Sequence, residues 1–361
     1  MITFESLFHA HPEIETNAHG RVNLIGEHTD YNNGYVLPAQ IPQHTIVQMR
    51  KRNDLRARLF SENKDPVIEE YVIGKEQSGR GWIDYIQGLT KILTKDRLEL
   101  SGFDAFIRST VPEGTGVSSS AALEVSILCA FQSLFALPLD PVGIAKTGQL
   151  AENEFVGAHV GIMDQMAASV GDQHSALFLD TQSMEYKKIP LPPSVALIVI
   201  HSGITHENRG GEYNLRRQEC EDAAKLLRVR SLRELTMEDL PRINTLPAPL
   251  NMRARHVITE NERVLEAVVA LEKEDLVTLG KLFNSSHISM RDDYQVSLPE
   301  IDHLVKIAQS NPEVYGARLT GGGFGGCVVI AAKQINGRKV AVDVAAEYAR
   351  ATNRTPQVLL P

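Results

Sequence analysis

The stretch PEGTGVSSSAALEVS, residues 112–126, constrains this chain more than any other, because two periodicities meet across it. Before it, Phe103, Ala105, Ile107 and Val111 alternate with Asp104, Arg108 and Thr110, the period-two pattern of a half-buried strand. After it, residues 121–137 are apolar on nearly all sides, which marks a buried helix. A turn containing Gly114 and Gly116 thus leads from a strand into a helix opened by Ser118, Ser119 and Ser120. The glycines let backbone N–H groups converge with no Cβ in the way, and a helix's first turn offers unpaired donors at the positive end of its dipole. That makes an anion site, for phosphate above all; a plain serine-rich helix cap is the competing reading. The GxxxxGK[ST] and GxGxxG loops are excluded, since no lysine follows the glycines and no strand leads into the second pattern. A polyphosphate held here needs the helix dipole, serine hydroxyls and a divalent cation to balance its charge.

The length of 361 residues predicts two packed domains, with a proline-containing stretch at 189–193 near the boundary, giving domains 1–190 and 191–361. A net charge of −8 argues against nucleic acid as a partner. Cys129, Cys220 and Cys327 are few, odd in number and far apart, which fits neither a disulfide framework nor a zinc knuckle and suits a reducing, cytoplasmic setting. The N-terminus has no basic segment leading into an apolar one, and no apolar run reaches membrane-spanning length, so no membrane partner is expected.

Three other blocks carry chemistry. In residues 18–41, Val22, Leu24 and Ile25 suggest a brief strand, turn residues follow, and residues 35–37 return to strand character. Arg21, Glu27, His28, Thr29 and Asp30 crowd this turn and match the hydrogen-bonding needs of vicinal sugar hydroxyls; the alternative is a solvated polar turn with an Asx-type bond from Asp30. In GIMDQMAASVG, residues 161–171, Asp164 stands among apolar side chains, where it needs a partner, a task or a place as helix N-cap. Residues 319–327 gather five glycines around Phe324, either a tight turn into a buried strand or a close backbone approach to a ligand or another loop. Helices are predicted over 82–93, 143–155, 254–271 and 275–289, strands around 45–59, 177–179 and 196–200, and a glycine-rich turn before Tyr213.

Residues 21–40, 112–126 and 319–327, in this order, resemble the three motifs of the GHMP small-molecule kinases, and GRVNLIGEHTDYNNGYVLP is similar to the galactokinase signature. GIMDQ, GGEYNLRRQEC and SHISMRDDY extend the likeness over nearly the whole chain. The resemblance implies an α/β (α+β) fold of two domains with the active site in the cleft between them, and ATP-dependent phosphorylation of galactose at its anomeric hydroxyl. It assigns Asp164 as the base and Arg21 as the residue that steadies the transferring group. Glu27, His28, Thr29, Asp30, Gly161 and Tyr213 fall on sugar-binding positions. Gly114, Thr115, Gly116, Val117, Ser118, Ser119 and Ser120 fall on the ATP phosphate cradle, with Ser120 and Glu152 as Mg²⁺ positions. The partners it implies are galactose and ATP, and the chain is expected as a monomer, with a dimer left open. Gln40, Pro42, Thr115 and Val117 depart from the family pattern, and they bear on sugar preference more than on kinase activity. The competing functions are a related sugar 1-kinase for an N-acetylhexosamine or arabinose, and a catalytically silent sugar or nucleotide sensor.

Overall fold

The structure, a computed structural model, describes residues 2–204 and 209–360, with the backbone alone for Arg209 and Gly210. Part of the predicted glycine-rich turn before Tyr213 lies outside the described residues, and its Gly210 and Gly211 stand not in a turn but at the start of helix Arg209–Leu227. The chain divides into two units that interleave along the sequence. One comprises the N-terminal stretch through Arg21, Gln40–Glu113 and Ser118–Gly171; the other comprises Val22–Ala39, Gly114–Val117 and the chain from Asp172 onward. Both mix helices with sheet, as the sequence predicts.

In the first unit the alternating segment forms strand Phe103–Ser109, but not a half-buried one: Phe103 through Ile107 are all buried, Asp104 among them. It pairs antiparallel with Pro38–Lys51, from Thr45↔Ser109 to Lys51↔Phe103, and parallel with Arg56–Ser61, which pairs antiparallel with Glu69–Val72. Asp104 on this strand is only 1% exposed and accepts from Arg58 Nε at 2.6 Å and Arg52 Nη1 at 3.2 Å. Helix Ile83–Lys95 turns Ile83, Ile86, Leu89 and Ile92 inward, a helical repeat that buries one face against the sheet core. Helix Ser119–Phe135 buries Ala121, Ala122, Val125, Leu128 and Phe131 on several sides, which is why its sequence shows no polar face. The helix predicted over 143–155 is an α-helix only through Pro141–Ala151; it then widens into one π turn, Glu152–Val156, closed by Gly157 at φ 85°. Such single π turns leave the ordinary helical phase and collect at functional sites.

The second unit holds a four-stranded antiparallel sheet in the order Val314–Thr320, Cys327–Lys333, Val195–His201, Gln357–Leu360. Helices Leu250–Glu272, Pro299–Ser310 and Gly337–Thr352 follow apolar patterns whose inward residues, among them Val257, Leu304, Val305 and Val344, join the sheet in one core, and helix Leu276–Ser289 buries Leu279 and Phe283. Gly280 and Gly316 meet where helix and strand cross: a Cβ on Gly280 would lie 2.1 Å from the Tyr315 carbonyl oxygen, so no other residue fits. Strand Ser175–Asp180 pairs with Tyr35–Val36 and with Tyr186–Pro190. The proline-containing stretch 189–193 therefore begins inside a strand, one that sequence periodicity does not show because only Ile189 of Tyr186–Pro190 is buried. No helix among the described residues is long and apolar enough to cross a membrane.

Candidate active site

In the first unit, Arg21 leaves strand Ile14–Asn23 and Asp164 sits in the first turn of helix Met163–Val170. Arg21 donates from Nε to Asp164 Oδ1 at 2.8 Å and from Nη2 to Oδ2 at 2.7 Å. Ser118 Oγ donates to Oδ2 at 2.6 Å. Asp164 is not the helix N-cap: that position is Ile162, and no side chain caps it. The aspartate has its partner, and a fork of charged donors fixes the plane of the carboxylate as a single-point contact does not. Its side chain is still 28% exposed, against 7% for Arg21, so one edge of the group faces outward. Gly161, buried, precedes the N-cap Ile162 of this helix, and Gln40 Nε2 donates to the Ala167 carbonyl near its far end at 2.9 Å.

Ser118 is the N-cap of helix Ser119–Phe135 at φ 63°, ψ 51°, the left-handed region, yet it makes no capping bond. A non-glycine residue held there costs roughly 1–2 kcal/mol. The serine-rich cap is thus not a cap in the usual sense: the conformation sends the hydroxyl to Asp164 and leaves the helix start without a side chain over it.

Behind Asp164 lies a buried carboxylate pair. Glu152, at the start of the π turn, is bonded to the Ser120 hydroxyl, and Gln165 Nε2 donates to Glu152 Oε2 and to Glu124 Oε2, each at 3.0 Å. Burial, then the charge of Asp164, pushes the Glu152 pKa up to about 7. Burial, then Glu152, raises that of Glu124 well above the carboxylate range. Among the described residues no Lys or Arg pairs with either glutamate. Their charge is shed onto protons instead, as expected for like charges out of water.

In the second unit the turn after Val22 is not a solvated one: Glu27, His28 and Thr29 are buried, and Asp30 is half-buried. Glu27 accepts from Asn23 Nδ2 at 2.6 Å, the Gly321 N–H at 2.8 Å and Arg318 Nη1 at 3.4 Å. Thr29 Oγ1 bonds the carbonyls of Gly26 and Tyr35 at 2.8 and 2.6 Å, closing the turn. Asp30 Oδ1 takes the next residue's N–H, that of Tyr31, at 2.9 Å, one residue short of an Asx turn. His28, at φ 62°, bonds through Nδ1 to Tyr31 Oη at 2.8 Å, and the chain continues to Tyr294 Oη at 2.7 Å and Cys220 Sγ at 3.1 Å. Burial, with His256 and Arg216 adding to it, lowers His28 to about 3, so its ring is neutral; burial raises Tyr31, Tyr294 and Cys220. Tyr213 places its ring 5.5 Å from His28 and 5.3 Å from Tyr31.

Behind the turn, Glu260 accepts from the Gly26 N–H at 3.0 Å, Ser286 Oγ at 2.7 Å and Arg263 Nε at 2.7 Å, with Arg318 Nη2 at 3.7 Å. Arg318, fully buried, also donates to the Leu24 carbonyl at 2.9 Å. The loop Gly114–Val117 belongs to this unit. Thr115 and Val117 are buried, Cys327 Sγ donates to the Thr115 carbonyl at 3.2 Å, and a Cβ on Gly321, φ 84°, would lie 3.2 Å from the Gly116 carbonyl oxygen. The five glycines around Phe324 thus include a close approach of one loop to another, one of the two expected readings.

The structure therefore brings Asp164, Arg21 and Ser118 together, and separately Ser120 with Glu152. Sequence reasoning had not assigned Glu124, Gln165, Tyr31, Tyr294, Glu260 or Arg318. Glu124 was findable as the one carboxylate in a run apolar on nearly all sides; Arg318 had no local signal, since none of its partners is a near neighbour in sequence and Leu24 and Glu27 lie 294 and 291 residues away.

Matches to known proteins follow the same map. The galactokinase galactose-binding signature covers residues 2–51, the GHMP kinase N-terminal domain residues 84–172 and the GHMP kinase C-terminal domain residues 267–350. The chain is 44% identical to a galactokinase of Roseiflexus sp. (strain RS-1), over 98% of this chain and 92% of that one. It is 42% identical to a galactokinase of Haemophilus influenzae (strain ATCC 51907 / DSM 11121 / KW20 / Rd), over 94% and 91%. Its fold matches the Lactococcus lactis galactokinase solved with galactose at a TM-score of 0.93, 32% identity, over 98% and 95% of the two chains. A mevalonate kinase matches at 0.69 and 16% identity, over 96% and 98%, a likeness of fold alone. The chain belongs to the galactokinase family of GHMP kinases.

Proposed function

We propose that the chain transfers the γ-phosphoryl group of ATP to the anomeric hydroxyl of galactose, giving α-D-galactose 1-phosphate and ADP. The observation that supports this most directly is the Asp164 carboxylate fixed by Arg21 and Ser118 at 2.6–2.8 Å with one edge outward, in a chain related to galactokinases along nearly its whole length. The sugar O1 forms the new bond to the γ-phosphorus as the bond to the β,γ-bridging oxygen breaks. The O1 proton passes to Asp164. Because the transition state of phosphoryl transfer is loose, the hydroxyl becomes acidic only as the bond to phosphorus forms. An acceptor in the right place is then worth more than a strong base, and a carboxylate locked by a guanidinium fork supplies placement. Arg21 keeps its charge beside the equatorial oxygens of the group in flight.

Asp30, His28 and Tyr213 present polar atoms to the sugar, while Glu27 and Thr29 hold the turn that carries them. Gly161 sets the start of the helix of Asp164. Gly114–Val117 with Ser118–Ser120 cradle the phosphates through backbone N–H groups and hydroxyls. Ser120 and Glu152 would hold Mg²⁺. The donor set fits: both supply hard oxygens, and among the described residues Glu152 and Glu124 are balanced by protons and not by a Lys or Arg, so a cation would take the place of a proton. Among the described residues no cluster of three or more His, Cys, Asp or Glu offers a full protein cage, and Mg²⁺ is an ion that keeps waters and phosphate oxygens for its remaining positions. When bound, it neutralises charge on the β- and γ-phosphates.

Steady-state turnover of ATP with galactose, N-acetylgalactosamine and arabinose tests the reading, with Asp164→Asn as control. Galactose is expected to give the highest kcat/KM, and the near-isosteric variant to lose about a hundredfold or more in kcat at unchanged thermal stability. Preference for the acetamido sugar would move the substrate assignment, and binding without turnover would leave a sensor.

A further inference from the structure

Gln165 follows the proposed base directly in sequence, but its side chain serves a different group. It is fully buried, and its one amide nitrogen divides its two hydrogens between Glu152 Oε2 and Glu124 Oε2, both at 3.0 Å. The amide nitrogen, and not its oxygen, faces the two carboxyl groups. Among the described residues no N–H or hydroxyl donor reaches Gln165 Oε1 or Glu124 Oε1. A buried amide that leaves its oxygen unbonded is not there to satisfy itself; what it gains is the orientation of the two carboxylates.

The neighbouring helix makes room for the arrangement. Gly148 lies inside Pro141–Ala151, where glycine weakens a helix relative to alanine. A Cβ at Gly148 would come within 3.2 Å of both Glu124 Oε2 and Gln165 Cγ, tighter than ordinary contact. Helical stability has been given up at the point where Glu124 and Gln165 pack.

We propose that Gln165 is the positioning residue for Glu152 as a metal-holding carboxylate, with Glu124, wedged against Gly148, as the anchor on which the Gln165 amide is braced. The inference rests on the reading of Ser120 and Glu152 as the Mg²⁺ position. It adds that a carboxylate hinged on the irregular turn Glu152–Val156 needs an outer partner to hold one oxygen back while the other faces the ion. Partners of this kind set metal affinity without touching the metal.

The test is Mn²⁺ binding to the full-length protein with a non-hydrolysable ATP analogue, read by electron paramagnetic resonance, with galactose affinity measured in parallel by calorimetry. Gln165→Met keeps the volume and removes both donors; it is expected to weaken Mn²⁺ binding about ten- to a hundredfold, with galactose affinity unchanged. Mn²⁺ affinity within twofold of wild type in a folded Gln165→Met, while Glu152→Gln binds the ion poorly, overturns the proposal and leaves the Glu152 reading standing. Unchanged Mn²⁺ affinity in Glu152→Gln overturns both. If Gln165→Met does not fold, Gly148→Ala replaces it: the methyl presses on Glu124 and Gln165 without removing a donor. Weakened Mn²⁺ binding at constant galactose affinity then supports the positioning role, and unchanged Mn²⁺ binding overturns it.

Discussion

Glu27 and Glu260 in the second unit and Glu124 and Glu152 in the first are withdrawn from water to a similar degree, at 1, 0, 0 and 6% exposure. Their surroundings are opposite. Glu27 and Glu260 share Arg318, Glu260 has Arg263 as well, and although burial opposes its charge, Arg263 and Arg318 hold its pKa well below the ordinary carboxylate range. Glu124 and Glu152 share one neutral amide and are pushed the other way. Burial alone therefore does not decide whether a carboxylate keeps its charge; the presence of a built-in cation does. Asp104, in the same unit as Glu152 and held by Arg52 and Arg58, falls with the compensated group, so the difference is not one between units. A buried pair that holds protons where other carboxylates hold an arginine is, on the proposed reading, open to a cation from outside.

The largest effect is expected on the compensated side. Arg318→Met should cost about 3–5 kcal/mol of folding stability in urea denaturation at neutral pH, because Glu27 loses its cation and Glu260 keeps only Arg263. Adding Glu260→Gln to it should return part of the loss. A loss below about 1 kcal/mol would mean that Arg318 is not the balancing charge and would dissolve the contrast.

How much of this the sequence disclosed follows the range of the interactions. The strand Phe103–Ser109, the loop and the helix Ser119–Phe135 are written in local periodicity and glycine placement, and they were legible. The inward face of Ile83–Lys95 was legible for the same reason. The turn at Glu27 and Thr29 allowed a solvated reading because the partners that bury it, Arg318 and Gly321, lie nearly 300 residues further on (294 from Gly321 to Glu27). Asp164 allowed a helix-cap reading until Arg21 and Ser118 were seen to hold it. The edge strand Tyr186–Pro190 was hidden by its exposed side chains, and the change from α-helix to π turn at Glu152 has no periodicity of its own. Nor does a pass along the chain disclose that Val22–Ala39 and Gly114–Val117 pack with the segment from Asp172 onward, since that grouping is made by contacts and not by neighbours in sequence.

On the uncompensated side the expected change has the opposite sign. The unfolded chain releases the Glu152 proton near the ordinary value of 4.5, whereas the folded chain keeps it to about pH 7. Between those values the folded state binds the extra proton, so stability falls as pH rises, by on the order of 3 kcal/mol across the window. Glu260 acts in reverse: its contribution is in place above its ordinary value and is lost as pH falls towards its depressed one. In chelator, Glu152→Gln should flatten the slope between about pH 4.5 and 7, leaving the part that Glu124 contributes, and make the protein more stable at about pH 8 by on the order of 3 kcal/mol, while weakening its use of Mg²⁺ once the metal is returned. An unchanged slope would assign the uncompensated charge elsewhere.

The smallest effect grades the compensated side by solvent. Arg263 bonds Glu260 at 2.7 Å, closer than Arg318 at 3.7 Å, yet its side chain is 14% exposed and Arg318 is not exposed at all. If distance governed the balance, losing Arg263 would hurt more. If isolation from water governs it, losing Arg318 hurts more, because it is the cation that serves both carboxylates where water cannot replace it. Arg263→Met is therefore expected to cost about 1–2 kcal/mol, less than Arg318→Met, measured by the same urea titration. The reverse order would show that the nearer contact, and not the deeper charge, holds Glu260 in place.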